Sequence, residues 1–291
     1  MDSRRTIDEL IARYCLEPEL RDLYVEGPGE KLLFKWFFKE YGCKEIAVFE
    51  IECADVDILL NEYCLQPGNR NRVVVLAMEL NKSLINDARC LACVADSDFD
   101  FVLGRKYNSR YLVYTDYTSI DLYFYSVHIL EKLFLLGIRR IPCDISILMK
   151  NLTDVLERIF LIRSTNEKLG WSLRWVDFTR SCSLDGSTVV FDHMGYIEKY
   201  LSCNGRLKDK EQFILTLEGL EAVKVKTSKH RIRGHDYIEL IGWYISKVVG
   251  SGGNKYRDQN VVRAIIYPAV DARTLANEGM FKRLLKIYGR P

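Results

Sequence analysis

The sequence lacks the features that mark several large classes of protein. No apolar run approaches the roughly 20 residues that a membrane-spanning helix needs, and the first ten residues, MDSRRTIDEL, are polar instead of signal-like. We therefore expect a cytoplasmic protein with no membrane partner. There is no internal repeat, and the glycine-rich stretch GSGGNKYRDQ at 250–259 lacks the Gly-Lys-Ser/Thr ending of a Walker loop. That stretch is either a flexible connection or a backbone surface for phosphate.

The nine cysteines do not form a pattern that indicates disulfides or a zinc site. Their number is odd, they are scattered, and most lie in apolar segments, so we expect reduced, buried thiols. Cys90 and Cys93 form a CxxC pair, but no second pair follows at the spacing of a zinc site. These two residues are therefore predicted to belong to the core.

The net charge is small, but its distribution along the chain is uneven. The whole chain has 42 Lys and Arg and 40 Asp and Glu, for a formal charge of +2. Residues 205–291 contain 17 of the basic residues and only 9 of the acidic ones. An acidic first part and a basic last part are typical of a metal-using enzyme that acts on nucleic acid, although an unevenly charged solvated surface gives the same pattern.

Strand and helix patterns alternate from residue 21 to about residue 137. DLYV and CLACV have the pattern of buried strands, EKLLFKWFFKEYG that of a helix, and SIDLYFYSVHILEKLFLLG that of one long helix. Before them, Thr6 and Glu9 form a plausible capping box for an N-terminal helix. The alternation predicts an α/β fold with a parallel sheet that helices cover on both faces.

After Pro142 the pattern becomes mainly helical. We therefore predict two domains. The first, residues 1–140, is an α/β catalytic domain. The second, residues 141–291, is a mainly helical, basic domain that positions nucleic acid or a second subunit.

Acidic residues follow two of the predicted strands at the point where each strand ends. Glu26 closes DLYV before a turn at Gly27, and Asp96 and Asp98 follow CLACV. Residues i and i+2 of an extended chain point the same way, and ligands of parallel sheets bind beyond the carboxyl ends of the strands. If the two strands are neighbours, three carboxylates converge and need a cation to neutralise them. The predicted cofactor is Mg²⁺ (or Mn²⁺), and the predicted substrate is a phosphodiester.

Other charged residues near these motifs extend the hypothesis. Glu30, one helical turn after Glu26, and Asp100 are predicted to supply a second metal site or an outer layer of ligands. Lys106 is predicted to stabilise developing charge on the phosphate, with Arg105 as an equal candidate. In the alternative interpretation, a DxD after a strand is an ordinary turn or helix cap.

These motifs resemble those of the TOPRIM-domain nuclease family. VEG at 25–27, followed by Glu30, and DSD at 96–98 are similar to the strand-end glutamate and the downstream DxD of domains found in topoisomerases, primases and OLD nucleases. The resemblance covers about residues 20 to 140. It implies that Glu26 is a metal ligand or general base, that Asp96 and Asp98 are metal ligands, and that Glu30 is the second acidic position. No tyrosine nucleophile and no primase zinc module is evident, which favours hydrolysis.

Two further segments resemble a subgroup of these proteins. TDYTSID at 115–121 and RGHD at 233–236 are similar to TOPRIM-like effectors that anti-phage systems such as PARIS pair with an ABC-type ATPase. The resemblance implies an effector that its ATPase partner keeps inactive, that forms a homodimer after release, and that cleaves host tRNA. The alternatives are a DNA endonuclease of the OLD type and a non-catalytic module that binds nucleic acid or a partner protein.

The segment VKVKTSKHRIRGHD, which begins at residue 223, is the predicted nucleic-acid contact. Basic residues alternate with others there, so one extended face is predicted to be cationic. The predicted contacts are Lys224, Lys226, Lys229, Arg231, Arg233 and His235. A solvated edge strand protected by lysines fits the same pattern. Asp236 is predicted to cap the next helix, and Asp116 and Asp121 either support the metal ligands or cap the helix that follows them.

Overall fold

The computed structural model describes residues 4–43, 45–84 and 90–289, so the first three residues of the N-terminal stretch lie outside it. The chain forms two compact units. The first contains Met1–Ser97, Lys106–Asp116 and Asp271–Pro291, and the second contains Asp98–Arg105 and Tyr117–Val270. This grouping differs from a single division at residue 140. In the described part of the chain, no helix is long and apolar enough to cross a membrane.

The strands in chain order are β1 (Arg5–Thr6), β2 (Asp22–Val25), β3 (Ala47–Glu50), β4 (Ala54–Asp55), β5 (Leu91–Ala95), β6 (Leu112–Tyr114), β7 (Cys182–Asp185) and β8 (Thr188–Phe191). The α-helices are α1 (Ile7–Leu16), α2 (Pro28–Glu40), α3 (Asp57–Glu62), α4 (Asn69–Ser83), α5 (Asp100–Leu103), α6 (Val127–Lys132), α7 (Ile145–Leu169), α8 (His193–Cys203), α9 (Lys210–Glu221), α10 (Gly234–Val249), α11 (Gln259–Ile266), α12 (Ala272–Ala276) and α13 (Gly279–Tyr288).

The first unit is built on a four-stranded sheet in which every neighbouring pair is parallel. Its strand order is β3-β2-β5-β6. From β2 the chain first adds β3 on one side and later adds β5 on the other, so the order reverses between β2 and β5. In open α/β sheets, ligands bind at such a reversal, beyond the carboxyl ends of the strands. The predicted parallel sheet is thus confirmed, and the carboxyl ends of β2 and β5 form the edge at which a ligand site is expected.

Helices cover both faces of this sheet, as the alternating pattern predicts. All five residues of β5 are buried, which requires cover on both sides. On one face, Cys93 belongs to an apolar cluster with residues of α1 and α4. Elsewhere in the unit, Phe37 of α2 packs on Phe281 of α13 with ring centres 4.7 Å apart. Cys93 is therefore a core residue, as predicted, but Cys90 is only partly buried. The expectation of buried thiols is wrong for Cys15, Cys64 and Cys203, which are exposed.

Polar contacts hold the first and last helices of this unit. The predicted capping box of α1 is confirmed, because Thr6 and Glu9 cap each other's backbone N–H groups. At the other end of the chain, the Tyr288 hydroxyl donates to the Asp22 carbonyl oxygen over 2.7 Å, and Arg21 donates to the Tyr288 carbonyl. These contacts explain why the C-terminal helix belongs to the sheet-containing unit and not to the helical one.

The second unit is mainly helical, as predicted for the C-terminal region. Its longest helix, α7, is capped by Asp144, whose side chain accepts from the backbone N–H groups of Ser146 and Ile147. An antiparallel hairpin of β7 and β8 follows, with Gly186 at a positive φ of 58° in its turn. Helix α10 is largely buried, with ten buried residues of sixteen.

The prediction of one long helix over SIDLYFYSVHILEKLFLLG is wrong. The segment forms a 3₁₀ helix at Ile120–Phe124, then α6, then a π-helical turn at Leu133–Ile138. Ser126 lies between the first two in an extended conformation, and its side chain accepts from the backbone N–H of Ile129. An N-cap inside an apolar stretch therefore starts a new helix, and apolar periodicity alone did not reveal it.

Candidate active site

Glu26 and Asp96 meet at the edge of the sheet where the strand order reverses. Glu26 follows β2 and Asp96 follows β5, and these strands are parallel neighbours. Glu26 Oε1 accepts a hydrogen bond of 2.7 Å from the backbone N–H of Asp96. The expectation that the two motifs lie on neighbouring strands is confirmed.

Two residues at the start of α4 also lie at this edge, and sequence reasoning missed both. The Asn69 side-chain amide donates to the Glu26 carbonyl oxygen over 2.8 Å. Arg70 Nε donates to the Asp96 carbonyl oxygen over 3.1 Å. The sequence contained a signal, because polar residues follow Gly68 where a helix begins, but only the sheet topology places that helix start beside the two motifs.

Aromatic rings orient the Arg70 guanidinium. Its central carbon lies 5.4 Å from the ring centre of Tyr107 and 5.8 Å from that of Tyr114, within the range of cation–π attraction. Burial raises the pKa of Tyr114 to about 12, so its phenol stays neutral at physiological pH. Arg70 thus brings a positive charge to the backbone of the Asp96 turn.

The turn after β5 is fixed to the end of β6. The Ser97 backbone N–H donates to Thr115 Oγ1 over 3.0 Å, and Ser97 Oγ donates to the Thr115 carbonyl over 2.7 Å. The next residue, Asp116, accepts a 2.8 Å hydrogen bond from the backbone N–H of Met280. Asp116 therefore caps the start of α13, which is distant in sequence, and not the helix that follows it in the chain.

The five predicted metal ligands fall into both units. Glu26, Glu30 and Asp96 belong to the first unit, while Asp98 and Asp100 belong to the second. Asp98 has a left-handed φ of 43°, and its backbone N–H donates to the Thr118 carbonyl over 2.8 Å. Asp100 is buried at the start of α5. Across residues 4–43, 45–84 and 90–289, no three His, Cys, Asp or Glu side chains form a group that could hold a metal ion.

The donor chemistry of the Glu26–Asp96 pair still suits a hard cation. Carboxylate oxygens are the ligands that Mg²⁺ prefers, and Glu26 and Asp96 each carry such a group. The Glu30 carboxylate lies close to the backbone of Gly27, 3.4 Å from where a β-carbon on that residue would lie. The residues present thus offer the right ligand type, but they are not gathered into a set of three.

The two candidate phosphate-stabilising cations have different surroundings. Lys106 is exposed in the first unit. Arg105, in the second unit, pairs with Glu167 over 2.7 Å on an exposed surface. Arg70 donates a hydrogen bond to the Asp96 carbonyl oxygen, and the role predicted for Lys106 stays a prediction.

The basic segment that begins at residue 223 does not form the predicted extended face. Residues 222–227 are turns and irregular structure, and Ser228–Arg231 is a 3₁₀ helix. Lys224 and Lys226 are exposed, and Lys229 Nζ lies 4.4 Å from the ring centre of Tyr117. The expectation of alternating cations along one strand is wrong, because a strand periodicity does not apply to a turn.

Arg231 and His235 are engaged inside the second unit. The Arg231 guanidinium donates to the Glu221 carbonyl over 2.7 Å and also to the Val223 carbonyl, so it caps the end of α9. Partial burial of the His235 imidazole, with the charges of Arg233 and Arg263, lowers its pKa. The lowered pKa favours the neutral imidazole, so His235 is less suited to carry a positive charge to a phosphate.

The prediction that Asp236 caps α10 is wrong. The N-cap residue is Arg233, and Asp236 lies within the first turn of the helix. Its two carboxylate oxygens each accept a 2.7 Å hydrogen bond from Arg163, whose guanidinium stacks 3.4 Å from the ring centre of Trp175. Asp236 thus forms a buried ion pair that joins α10 to α7.

Asp121 also has a structural partner. It accepts two hydrogen bonds of 3.1 Å from Arg263 and one of 2.7 Å from the Tyr267 hydroxyl. A β-carbon added to Gly234 would overlap the side chains of Ser119 and Asp121. The segments TDYTSID and RGHD therefore pack against each other within the second unit, and close approach at Gly234 requires a glycine there.

Comparison with models of known protein families finds no match to this chain, and comparison with curated proteins finds none either.

Proposed function

We propose that this chain is a metal-dependent endonuclease of the TOPRIM type that hydrolyses phosphodiester bonds in RNA. One observation carries the proposal: the Glu26 carboxylate accepts a hydrogen bond from the backbone N–H of Asp96, so the two acidic motifs lie side by side at the carboxyl edge of β2 and β5, where the strand order reverses. This is the place where parallel α/β sheets bind their ligands.

Mg²⁺ or Mn²⁺ is the cofactor that the proposal requires. Glu26 and Asp96 of the first unit would hold it, and Glu30 would add an outer or second-site ligand. The roles predicted for Asp98 and Asp100 as ligands stay predictions. The ion would stabilise negative charge on the phosphate and supply an activated water. The chain's own contribution is to hold Glu26 against the Asp96 turn, and Arg70 adds a positive charge beside that turn.

The proposed biological role is an anti-phage effector that cleaves host tRNA. It includes a homodimer and release from an ABC-type ATPase partner. This part of the proposal is supported by the resemblance of the TDYTSID and RGHD segments. Their residues also have roles in the folding of the second unit, because Gly234 packs on Ser119 and Asp121.

The test compares two substitutions at Glu26. Glu26→Gln keeps a side-chain oxygen that can accept from the Asp96 N–H but removes the negative charge, whereas Glu26→Ala removes both. We expect each to lower the rate of tRNA cleavage in Mg²⁺ by at least about 100-fold, since a metal contributes several kcal/mol to the transition state and 1.4 kcal/mol is tenfold. Addition of EDTA to the parent protein should abolish cleavage.

Glu50 provides a matched control at the same edge of the sheet. It ends β3, lies opposite Val25 in the register and pairs with Lys31 over 2.9 Å. Glu50→Gln should keep cleavage within about twofold of the parent. Cleavage that survives in Glu26→Ala, or in EDTA, would contradict the proposal. Nicking of a supercoiled plasmid without cleavage of tRNA would favour the DNA endonuclease.

A non-catalytic module is the second candidate, and the Glu26–Asp96 contact itself favours it. A carboxylate that accepts from a neighbouring backbone N–H ties two strand ends together without any metal. In that case Glu26→Gln should leave the biological effect and nucleic-acid binding intact. EDTA should also leave both unchanged.

A further inference from the structure

A cleft of about 520 Å³ in the second unit brings three cationic side chains together. Arg180 comes from the 3₁₀ helix Phe178–Ser181, Lys247 from the last turn of α10, and Arg257 from the 3₁₀ segment Gly253–Arg257. None of the nine described residues that line this cleft is acidic.

Two glycines build the cleft by allowing close packing. A β-carbon on Gly242 would overlap the Tyr256 carbonyl oxygen, and one on Gly253 would overlap the Ser246 carbonyl oxygen. Because neither residue has a side chain, the glycine-rich segment lies directly on α10. Asn254 and Arg257 consequently lie on the same cleft as Lys247.

Hydrogen bonds fix one wall, while the other cations extend into solvent. Arg257 Nη2 donates to Thr179 Oγ1 over 3.0 Å, and that buried hydroxyl donates to Asp177 over 2.6 Å. Arg180 is 74% exposed and contacts Asp177 over 3.3 Å. Lys247 is exposed, with Nζ 5.9 Å from the ring centre of Trp243. Arg257 is thus positioned in advance, and Arg180 and Lys247 can adapt to a ligand.

The chemistry of this lining fits phosphate groups. Arginine forks and a lysine ammonium bind phosphate oxygens, and the Asn254 amide and the Ser246 hydroxyl are further donors. Ligand pockets for apolar small molecules have similar volumes but a predominantly apolar lining. Three cations spread over three segments suit a ligand with several phosphates better than a single one.

We propose that this cleft binds the phosphate backbone of single-stranded RNA. The choice of RNA over another polyphosphate rests on the proposed function. The inference that the ligand carries phosphates rests only on the residues that line the cleft. The cleft replaces the turn that contains Lys224 and Lys226 as the main electrostatic contact of the second unit. It also gives the stretch GSGGNKYRDQ a role as a packed wall of a phosphate site.

Binding of a fluorescein-labelled single-stranded 12-nucleotide RNA, measured by anisotropy in EDTA, tests the proposal without any cleavage. We expect Arg180→Ala/Lys247→Ala in the full chain to weaken binding about tenfold or more at 50 mM salt. For this double variant, the slope of log affinity against log salt concentration should be smaller in magnitude by about 1.4, because each phosphate contact to a single strand contributes about 0.7 to that slope. The charge-retaining variant Arg180→Lys/Lys247→Arg should bind RNA with an affinity within about threefold of that of the parent protein. This result would show that the loss in the alanine variant is caused by the loss of charge.

Lys150→Ala/Lys199→Ala is the matched control, since both lysines are exposed, lie in the same unit and carry the same total charge. It should change affinity less than twofold. The proposal would be overturned if the cleft variant and the control lost the same affinity for RNA. It would also be overturned if Lys224→Ala/Lys226→Ala lost more affinity than the cleft variant.

Inorganic pyrophosphate distinguishes the source of the phosphate. Weak, millimolar competition supports an RNA backbone, whereas pyrophosphate that binds the cleft more tightly than RNA and displaces it overturns the assignment to RNA. Failure of the nuclease proposal has a different signature. In that case RNA binds the cleft normally, but Mg²⁺ produces no cleavage.

Discussion

The ion pair between Asp236 and Arg163 makes the sharpest prediction about stability. Asp236 is 1% exposed and Arg163 is 16% exposed, and two hydrogen bonds of 2.7 Å join them. Asp236→Asn keeps the shape of the side chain but leaves the Arg163 guanidinium without its counter-charge. Loss of one partner of a buried pair costs about 3–5 kcal/mol. Because Arg163 keeps some contact with water, we expect about 2–4 kcal/mol.

Urea unfolding followed by circular dichroism measures this loss, and thermal unfolding should show a fall in Tm of roughly 5–15 °C. The double variant Arg163→Met/Asp236→Leu should be more stable than Asp236→Asn, since no charge is then buried alone. Glu198→Gln is the control, because its pair with Lys210 is on the surface and contributes at most about 1 kcal/mol. A loss below about 1 kcal/mol in Asp236→Asn would refute the assignment of this pair as a main support of α10.

Three further predictions follow from particular contacts. Glu26→Ala should lower the free energy of unfolding by about 1.5–3 kcal/mol, because the hydrogen bond from the Asp96 N–H is lost. Glu26→Gln keeps an acceptor and should lower the free energy of unfolding by less than about 1 kcal/mol. Equal urea midpoints for the two variants would contradict this prediction. Burial and two neighbouring carboxylates raise the pKa of Glu239 to about 7, so the folded state holds a proton that the unfolded state loses near its ordinary pKa of 4.5. The free energy of unfolding should therefore fall as pH rises from about 4.5 to 7. In Glu239→Gln this pH-dependent fall should be smaller by about 1–2 kcal/mol. Urea titrations of both proteins at pH 5 and pH 8 would measure the difference. Gly242→Ala should destabilise the protein by about 2 kcal/mol or more, because a β-carbon would overlap the Tyr256 carbonyl oxygen; a Tm within about 2 °C of the parent would refute it.

The candidate site shows how far local reasoning extends. Glu26 and Asp96 could be paired from sequence because parallel strands end at the same edge of a sheet, and the structure places them in contact. Arg70 could not be found in that way. Its contact with Asp96 depends on where α4 begins relative to two strands that are more than twenty residues away in sequence.

The charged residues of the second unit show where local reasoning fails. Asp236 precedes a helical pattern, so a cap was the natural prediction, yet its partner is Arg163 on another helix. Arg231 stands in an alternating basic run, yet it binds the carbonyls at the end of α9. The partner of a charged side chain depends on which groups the tertiary fold brings close to it, and the neighbouring residues in the sequence do not reveal those groups.

The sequence alone determined the alternation of strands and helices, the cap of the first helix and the two acidic strand ends, because each depends on residues within one element or one turn. Only the tertiary structure decided that the last helix returns to the sheet, that the TDYTSID and RGHD segments pack together, and that three cations share one cleft. Those outcomes depend on which distant surfaces exclude water together and which glycines allow backbones to touch. These contacts form only when the whole chain is packed, so they depend on residues far apart in the sequence.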